Sequence, residues 1–267
     1  MQSIPLPIEV STNMIAVAPI QRLRDSFVNT LPLYIQIADG LLEKMEAGEL
    51  SPGERLPPER ELSQLLGVNR MTLRRSLQRL ELQGLLDRRQ GAGTYIAPPK
   101  IERQADQLVS FSRGMKKRGY LPGARLLHFE RKPSEASVAR ELNIPLAAEV
   151  YFFQRIRYLN EEPVMLEKFW MPVGRFPDLE QFDLVNRFVF DIVEEEYRLT
   201  VTRARQSLEA VVSTEYEAEM LGIRVGAPLM LERRLTFDEY DTPFEFGIDL
   251  YRGDRFRFVT EKAPMEQ

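Results

Sequence analysis

Residues 57–97 read PPERELSQLLGVNRMTLRRSLQRLELQGLLDRRQGAGTYIA, and this stretch decides how the first part of the chain folds. Pro57–Leu66 predicts a helix with Pro58 in its first turn, where a missing N–H is tolerated. Gly67-Val68-Asn69 interrupts it, and Asn69 is a good N-cap for a second helix. Leu73, Leu77 and Leu80 recur at helical spacing along one side of that helix, and Gly84 stops it. From Leu85 to Ala97 the pattern alternates loosely around Gly91-Ala92-Gly93, as in a two-stranded hairpin. Upstream, Leu33, Ile37, Leu41, Leu42 and Met45 mark a further helix closed by Gly48. Helix, helix, turn, helix and hairpin, in that order, make a helix–turn–helix with a wing.

Charge is segregated on this frame. Between Val68 and Tyr95, Arg70, Arg74, Arg75, Arg79, Arg88 and Arg89 stand against only Glu81 and Asp87. The preceding helix carries Asp39, Glu43, Glu46 and Glu49, so the overall charge of -4 hides a basic surface. Such separation suits a polyanion partner. Arg70, Thr72, Arg74 and Arg75 lie off the leucine stripe. Arginine can bond bidentately to a guanine edge or a phosphate, and a threonine methyl can touch thymine. Arg88, Arg89 and the small Gly91-Ala92-Gly93 tip would let the hairpin approach a duplex closely. A merely solvated basic helix is the plain alternative; the ordered succession of helix, cap, charge and wing speaks against it.

Composition excludes much else. The chain has 267 residues, 43% of them hydrophobic, enough for two ordinary domains. It has no cysteine, which removes disulfides, thiolate nucleophiles and cysteine zinc sites together. His128 is the single histidine, so a Ser-His machine has little to be built from, and the imidazole reads as structural. No apolar run approaches the ~20 residues that span a bilayer, and no signal segment opens the chain. The expectation is a cytoplasmic protein without membrane, metal or cofactor. Pro98-Pro99 sets a boundary. The expected divisions are a flexible arm over 1–30 with at most a short helix, the winged domain over 31–97, a linker over 98–107 and a second domain over 108–262.

The second region is duplicated. LNIPLAAEV at 142–150 matches LGIRVGAPL at 221–229 at a constant offset. The match reaches back to Ser134 and Ser213, and forward through Arg155 and Arg234 to Pro163 and Pro243, with one inserted residue. Each copy reads strand, short helix, strand, turn, strand, with hairpin turns at Asn160–Glu162 and Asp238–Asp241. Two copies imply a pseudo-twofold, mainly antiparallel sheet domain rather than a solenoid. The fold class is therefore α+β.

Several segments resemble a known family. LPLYIQI at 31–37, PGERLPPEREL at 52–62, VNRMTLRR at 68–75 and RRQGAGTY at 88–95 are similar to the winged helix–turn–helix of the GntR family of bacterial repressors. SFS at 110–112, Phe129-Glu130-Arg131, Arg155-Ile156-Arg157, Glu245 and YRGDRFRF at 251–258 resemble the UTRA effector domain of its HutC subfamily, whose fold is like chorismate lyase. The resemblance implies that positions Arg60, Arg70, Thr72, Arg74 and Gly91 approach DNA. To these the charge pattern adds Arg75 and Arg88. It also implies an effector site containing Arg155, Arg157, Glu245 and Tyr251. Arg155 and Arg157 are two apart on a strand, so they share a face and could clamp an anionic group. A cross-strand ion pair is the competing reading. Glu167 and Glu209 read as structural partners. Phosphosugar-binding relatives carry serine where this chain has Phe188, which counts against a phosphosugar. Phe169 and Trp170 add aromatic area nearby in sequence. The implied function is a repressor whose binding to a palindromic double-stranded operator, as a homodimer, is modulated by a small-molecule effector. The alternatives are a chorismate-lyase-like enzyme with a DNA-binding appendage, and a ligand-free dimeric DNA-binding protein.

Overall fold

Two compact units, residues 1–100 and 101–267, make up the computed structural model, which describes residues 17–28, 31–89, 91–105, 111–185 and 187–261. In the first unit three helices, α2 (Leu33–Glu46), α3 (Glu59–Leu66) and α4 (Arg70–Leu82), share one leucine-rich core. Leu73, Leu77 and Leu80 of α4 are buried in it, as their spacing requires. Pro57 and Pro58 lie just before α3 rather than inside it, because Pro58 takes an extended ψ of 144° at the N-cap. Gly67 caps α3 in the left-handed conformation, and the Val68 N–H returns to the Ser63 carbonyl at 3.0 Å. Asn69 caps α4, its side chain accepting from the Thr72 N–H at 2.8 Å. The wing is the antiparallel pair β1 (Leu86–Arg89) and β2 (Gly93–Ile96). Backbone bonds from Leu56 to Thr94 and from Gly53 to Ile96, both 2.8 Å, tie the chain ahead of α3 to this hairpin.

The expected flexible arm is structured over part of its length. Helix α1 (Val17–Gln21) and a 3-10 turn at Arg22–Ser26 place Ile20 (0% exposed) and Leu23 (4% exposed) in the helical core. Gly40 in the middle of α2 makes room for this segment: a Cβ there would meet Leu23 Cδ2 at 2.7 Å. Gln36 of α2 pins the following chain, since its Oε1 accepts from the Val28 N–H at 2.7 Å. Its Nε2 donates to the Val28 and Leu31 carbonyls at 2.7 and 2.6 Å. The remainder of the expected arm lies outside the described residues.

The second unit is built on a six-stranded antiparallel sheet in the order β4-β5-β6-β9-β8-β7. The first repeat supplies β4 (Pro122–Pro133), α6 (Ala136–Glu141), β5 (Glu149–Leu159) and β6 (Glu162–Pro172). The second supplies β7 (Val201–Val212), α8 (Glu215–Leu221), β8 (Pro228–Asp238) and β9 (Pro243–Arg252). The strand order is thus symmetric about the β6–β9 seam, which is what duplication predicts. The helices cross that seam: α6 packs on β9 and α8 on β6. They cover one face of the sheet, through Val138 of α6, Leu142 at its C-cap and Leu221 of α8. The opposite face lies under α5 (Phe111–Lys117) and α7 (Val189–Glu196), with Phe111 and Phe190 facing the strands.

One expectation needs correction here. The segment 98–107 is not a plain linker, because β3 (Ile101–Gln104) pairs in parallel with β10 (Phe256–Val259) and Ile101 is buried. His128, read from the sequence as a structural imidazole, lies half-exposed in mid-strand on β4, 3.2 Å from Glu130. Among the described residues no helix is long and apolar enough to cross a membrane.

The packing of Leu23 generates a prediction. Leu23→Ala should lower the stability of the first unit by about 2–4 kcal/mol, as for other buried leucines. Hydrogen exchange at α2 and α3 amides should accelerate accordingly. Exchange unchanged from the parent protein would mean the segment does not belong to this core.

Candidate functional site

In the first unit one carboxylate organises the basic surface. Glu59 opens α3, where an acidic side chain complements the helix N-terminus. Its Oε2 lies 2.7 Å from Arg74 Nε on α4, and its Oε1 2.6 Å from Arg88 Nη2 on the wing. Both arginines stay largely exposed, so these pairs are weak and easily exchanged for another anion. Arg60 and Arg70 are exposed at the starts of α3 and α4, and Thr72 is half-buried beside the cap. Gly91 is exposed at the wing tip with φ +75°, and a Cβ there would meet nothing within 4 Å. Gly93 is different, since a Cβ would strike Arg55 Nε at 2.7 Å. Arg89 leans on the Tyr95 ring at 4.4 Å and pairs with Asp87.

The structure does not bring Arg75 into this group. Its guanidinium lies 3.9 Å from the centroid of Tyr34, on the side of α4 facing α2. Glu59 was not among the residues singled out from the sequence. Its position at the first helical residue, one turn ahead of the basic helix, was the available clue.

In the second unit the four sequence candidates do meet on one face of the sheet. Arg155, Arg157, Glu245 and Tyr251 are each at most 3% exposed. Around them the register sets a row across four strands: Arg155 opposite Glu167, Glu167 opposite Asp249, and Asp249 opposite Glu232. Arg155 Nε lies 2.5 Å from Glu167 Oε2, and its Nη1 donates to the Leu184 carbonyl. Arg234 Nη2 lies 2.8 Å from Glu245 Oε1, and its Nη1 2.8 Å from Asp249 Oδ2. Thr236 donates to Glu245 at 2.5 Å. Arg157 donates to the Ser112 hydroxyl, and its Nε has no partner. Arg234 and Asp249 were missed by sequence reading, although Arg234 is the duplicate of Arg155. Gly247 stands opposite Arg234, where the first repeat has Glu167; a Cβ there would meet Arg234 Nη2 at 2.8 Å.

Burial and charge shift these groups in different directions. Burial pushes Glu167 up, but Arg155 and Arg157 outweigh it and hold its carboxyl at about 2. Burial, helped by Arg155, lowers Arg157 to about 10, which still leaves it charged at neutral pH. Asp249 goes the other way: burial raises it well above the usual range, and Glu167, Glu232 and Glu245 add to the rise against Arg234. The row thus holds two neighbouring carboxyl groups shifted in opposite directions, Glu167 down and Asp249 up.

A small cavity of about 20 Å³ opens onto this row, lined by Glu167, Arg234, Asp249, Tyr251, Arg103, Met165 and the rings of Phe111, Phe188 and Phe190. Phe188 is the N-cap residue of α7 and stands edge-on to Phe190 at 4.7 Å. Phe169 lies on the same face, stacked on Phe153 at 4.5 Å. Trp170 points the other way, stacked on Phe246, so it takes no part. Glu209 pairs with Arg233 in the open. Ser110 and Asn186 lie outside the described residues. Among the described residues no group of acidic, histidine or cysteine side chains could hold a metal.

Comparison with known proteins covers both units. The model of bacterial regulatory proteins of the gntR family matches residues 33–96, and the UTRA domain model matches residues 117–257. The HTH-type transcriptional repressor NagR of Bacillus subtilis (strain 168) is 35% identical over 86% of this chain and 94% of its own length. The mannosyl-D-glycerate transport/metabolism system repressor MngR of Escherichia coli (strain K12) is 30% identical over 85% and 95%. Among solved structures, PhnF from Mycobacterium smegmatis superposes with a TM-score of 0.62 at 26% identity, covering 85% of this chain and 100% of its own.

The ion pair at Glu167 gives a pH-dependent prediction. Its folded pKa of about 2 lies below the ordinary 4.5, so its contribution is complete above pH 4.5 and is lost as pH falls toward 2. Glu167→Gln should cost on the order of 3 kcal/mol at pH 7, because Arg155 is left buried and unpaired. The deficit relative to the parent should shrink between pH 4.5 and 2. Unfolding followed by Trp170, the single tryptophan, reports it; a deficit constant over that range would contradict the assignment.

Proposed function

Because the chain belongs to the gntR family of bacterial regulatory proteins and carries a UTRA domain, it is a DNA-binding transcriptional regulator responsive to a small-molecule effector, and we propose which residues do each task. The operator is read by Arg60, Arg70, Thr72, Arg74 and Arg88, with Gly91 letting the wing tip sit close to the backbone. The observation that carries this is Glu59 holding Arg74 of the recognition helix and Arg88 of the wing side by side. Phosphate can displace that carboxylate with little loss, since the pairs are exposed. Arg75 is left out of the set, because its guanidinium is stacked on Tyr34.

A single winged helix reads too short a site for genomic selectivity. The regulator therefore acts as a homodimer through its C-terminal domain, placing two recognition helices about 34 Å apart on a palindromic operator. The effector binds in the buried polar row. Arg157 is the better candidate than Arg155 for gripping it, because Arg155 is already engaged by Glu167 and the Leu184 carbonyl while Arg157 Nε is unpartnered. The cavity holds about one water, so an effector must displace Phe188 or Phe111 to enter. That displacement is a differential interaction of the kind a ligand needs to shift a conformational equilibrium.

Arg70→Ala and Arg74→Ala should each weaken operator binding by about 1–3 kcal/mol per half-site, with Arg75→Ala costing less. Titration of labelled operator measures this; equal losses at all three positions would put Arg75 back in the interface. Sedimentation should show a dimer at micromolar concentration, and a monomer with and without operator would remove the palindromic model.

A further inference from the structure

Resting on the placement of the effector in this polar row, we propose that the effector is an organic amine, whose protonated nitrogen seats at Asp249 and Glu232 while an acceptor oxygen of the same molecule meets Arg157. The warrant is an imbalance of partners. Glu167, Asp249 and Glu232 stand opposite one another on three neighbouring strands, and Glu245 lies on the same face. Like charges directly opposite on strands repel. Arg155 is used by Glu167 and the Leu184 carbonyl. Arg234 is divided among Glu245, Asp249 and, at 3.9 Å, Glu232. Arg157 gives its hydrogen bond to Ser112, not to a carboxylate. Arg103 reaches the same cavity, partly buried, with its guanidinium 5.3 Å over the Tyr251 ring rather than paired with a carboxylate.

Three buried atoms are consequently left over: the acceptors Asp249 Oδ1 and Glu232 Oε2, and the donor Arg157 Nε. Their residues are each at most 3% exposed. Unsatisfied buried polar atoms are rare in folded proteins; Asp249 and Glu232 stand opposite each other on β9 and β8, while Arg157 lies farther across the sheet on β5. An anion would deepen the repulsion among four carboxylates. A water or a neutral hydroxyl supplies a donor but no charge. An ammonium supplies three donors and a positive charge together. The walls of the cavity favour it as well, since Phe111, Phe188, Phe190 and Tyr251 present rings to which a desolvated cation is attracted. Burial and the neighbouring carboxylates push the Asp249 carboxyl up, and a cation seated beside it would favour its ionised form. The unpartnered Arg157 Nε, toward the first-repeat side of the sheet, asks for an oxygen acceptor elsewhere on the molecule.

Thermal unfolding of the full-length protein tests this with matched probes: ethanolamine against ethylene glycol, putrescine against 1,4-butanediol, and glucosamine against glucose. At least one amine should raise the midpoint by about 5 °C when well above its Kd, and its uncharged counterpart should not. Asp249→Asn should lose that shift. Should Asp249→Asn fail to fold, Glu232→Gln serves as the second variant. Equal shifts from amine and counterpart, a shift that survives both variants, or no shift with any amine would overturn the proposal. Glucose 6-phosphate separates the two levels of argument. A shift from it that is lost in Arg157→Ala but kept in Asp249→Asn leaves the effector site standing and rejects the amine. Amine shifts that persist in Asp249→Asn and in Arg157→Ala alike place binding elsewhere and reject the site itself.

Discussion

The guanidinium of Arg234 is shared among three carboxylates. It is buried within a six-stranded sheet and answers to Glu245, Asp249 and Glu232 at once. Ions in that setting cannot relax toward water, so the strands that carry them must arrive in one register. A slip of one residue on β8 would turn Arg234 and Glu232 onto the apolar face against α6 and α8, and bring Leu231 and Leu235 under the carboxylates. The cost of stranding a buried charge far exceeds that of a misplaced leucine. The polar row therefore specifies the alignment of the sheet, whatever it contributes to net stability. The rest of the unit is arranged around it: Gly247 is small so that the guanidinium fits, and the rings of α5 and α7 roof the row.

Placing charge in the core also separates two jobs that the duplicated halves once shared. Arg155 in the first repeat faces Glu167 and forms a closed pair. Its duplicate Arg234 faces Gly247 instead and is thrown onto Glu245 and Asp249, two residues to either side of the opposite position. A symmetric scaffold thereby carries an asymmetric interior, with different charge pairings in its two halves. Asymmetry of this kind is what a small, non-symmetric ligand requires from a pseudo-symmetric sheet.

Much of this was legible in the sequence. The helix–turn–helix was readable from the Asn69 cap, the leucine stripe of α4 and the glycine turn, because each obeys local geometry. The pseudo-twofold sheet was readable because the repeat preserved residue types at a fixed spacing. Strand periodicity put Arg155 and Arg157 on one face, and the family resemblance brought Glu245 and Tyr251 to them. What the sequence hid was cross-strand pairing. Asp249 and Glu232 look like ordinary polar strand residues until register sets them opposite each other and Glu167. Arg75 looked equivalent to Arg74, one residue away, but a helix turns 100° between neighbours and hands Arg75 to Tyr34. Likewise β3 was taken for linker, since a four-residue strand becomes visible only through its partner at Phe256–Val259.

The segment that packs Leu23 against Gly40 redraws the border of the DNA-binding module. The family resemblance begins at Leu31, yet two side chains of the helical core, Ile20 and Leu23, come from before it. A glycine in the middle of α2 weakens that helix on its own by roughly 1 kcal/mol relative to alanine, so α2 is a poorer helix in isolation than in the intact chain. The notch at Gly40 is a socket shaped for a plug, and Gln36 is the latch that holds the plug's trailing end. Cutting the gene at the homology border would therefore yield a module with an open socket and an apolar floor. The helical core of this module extends back at least to Ile20, ahead of the homology border.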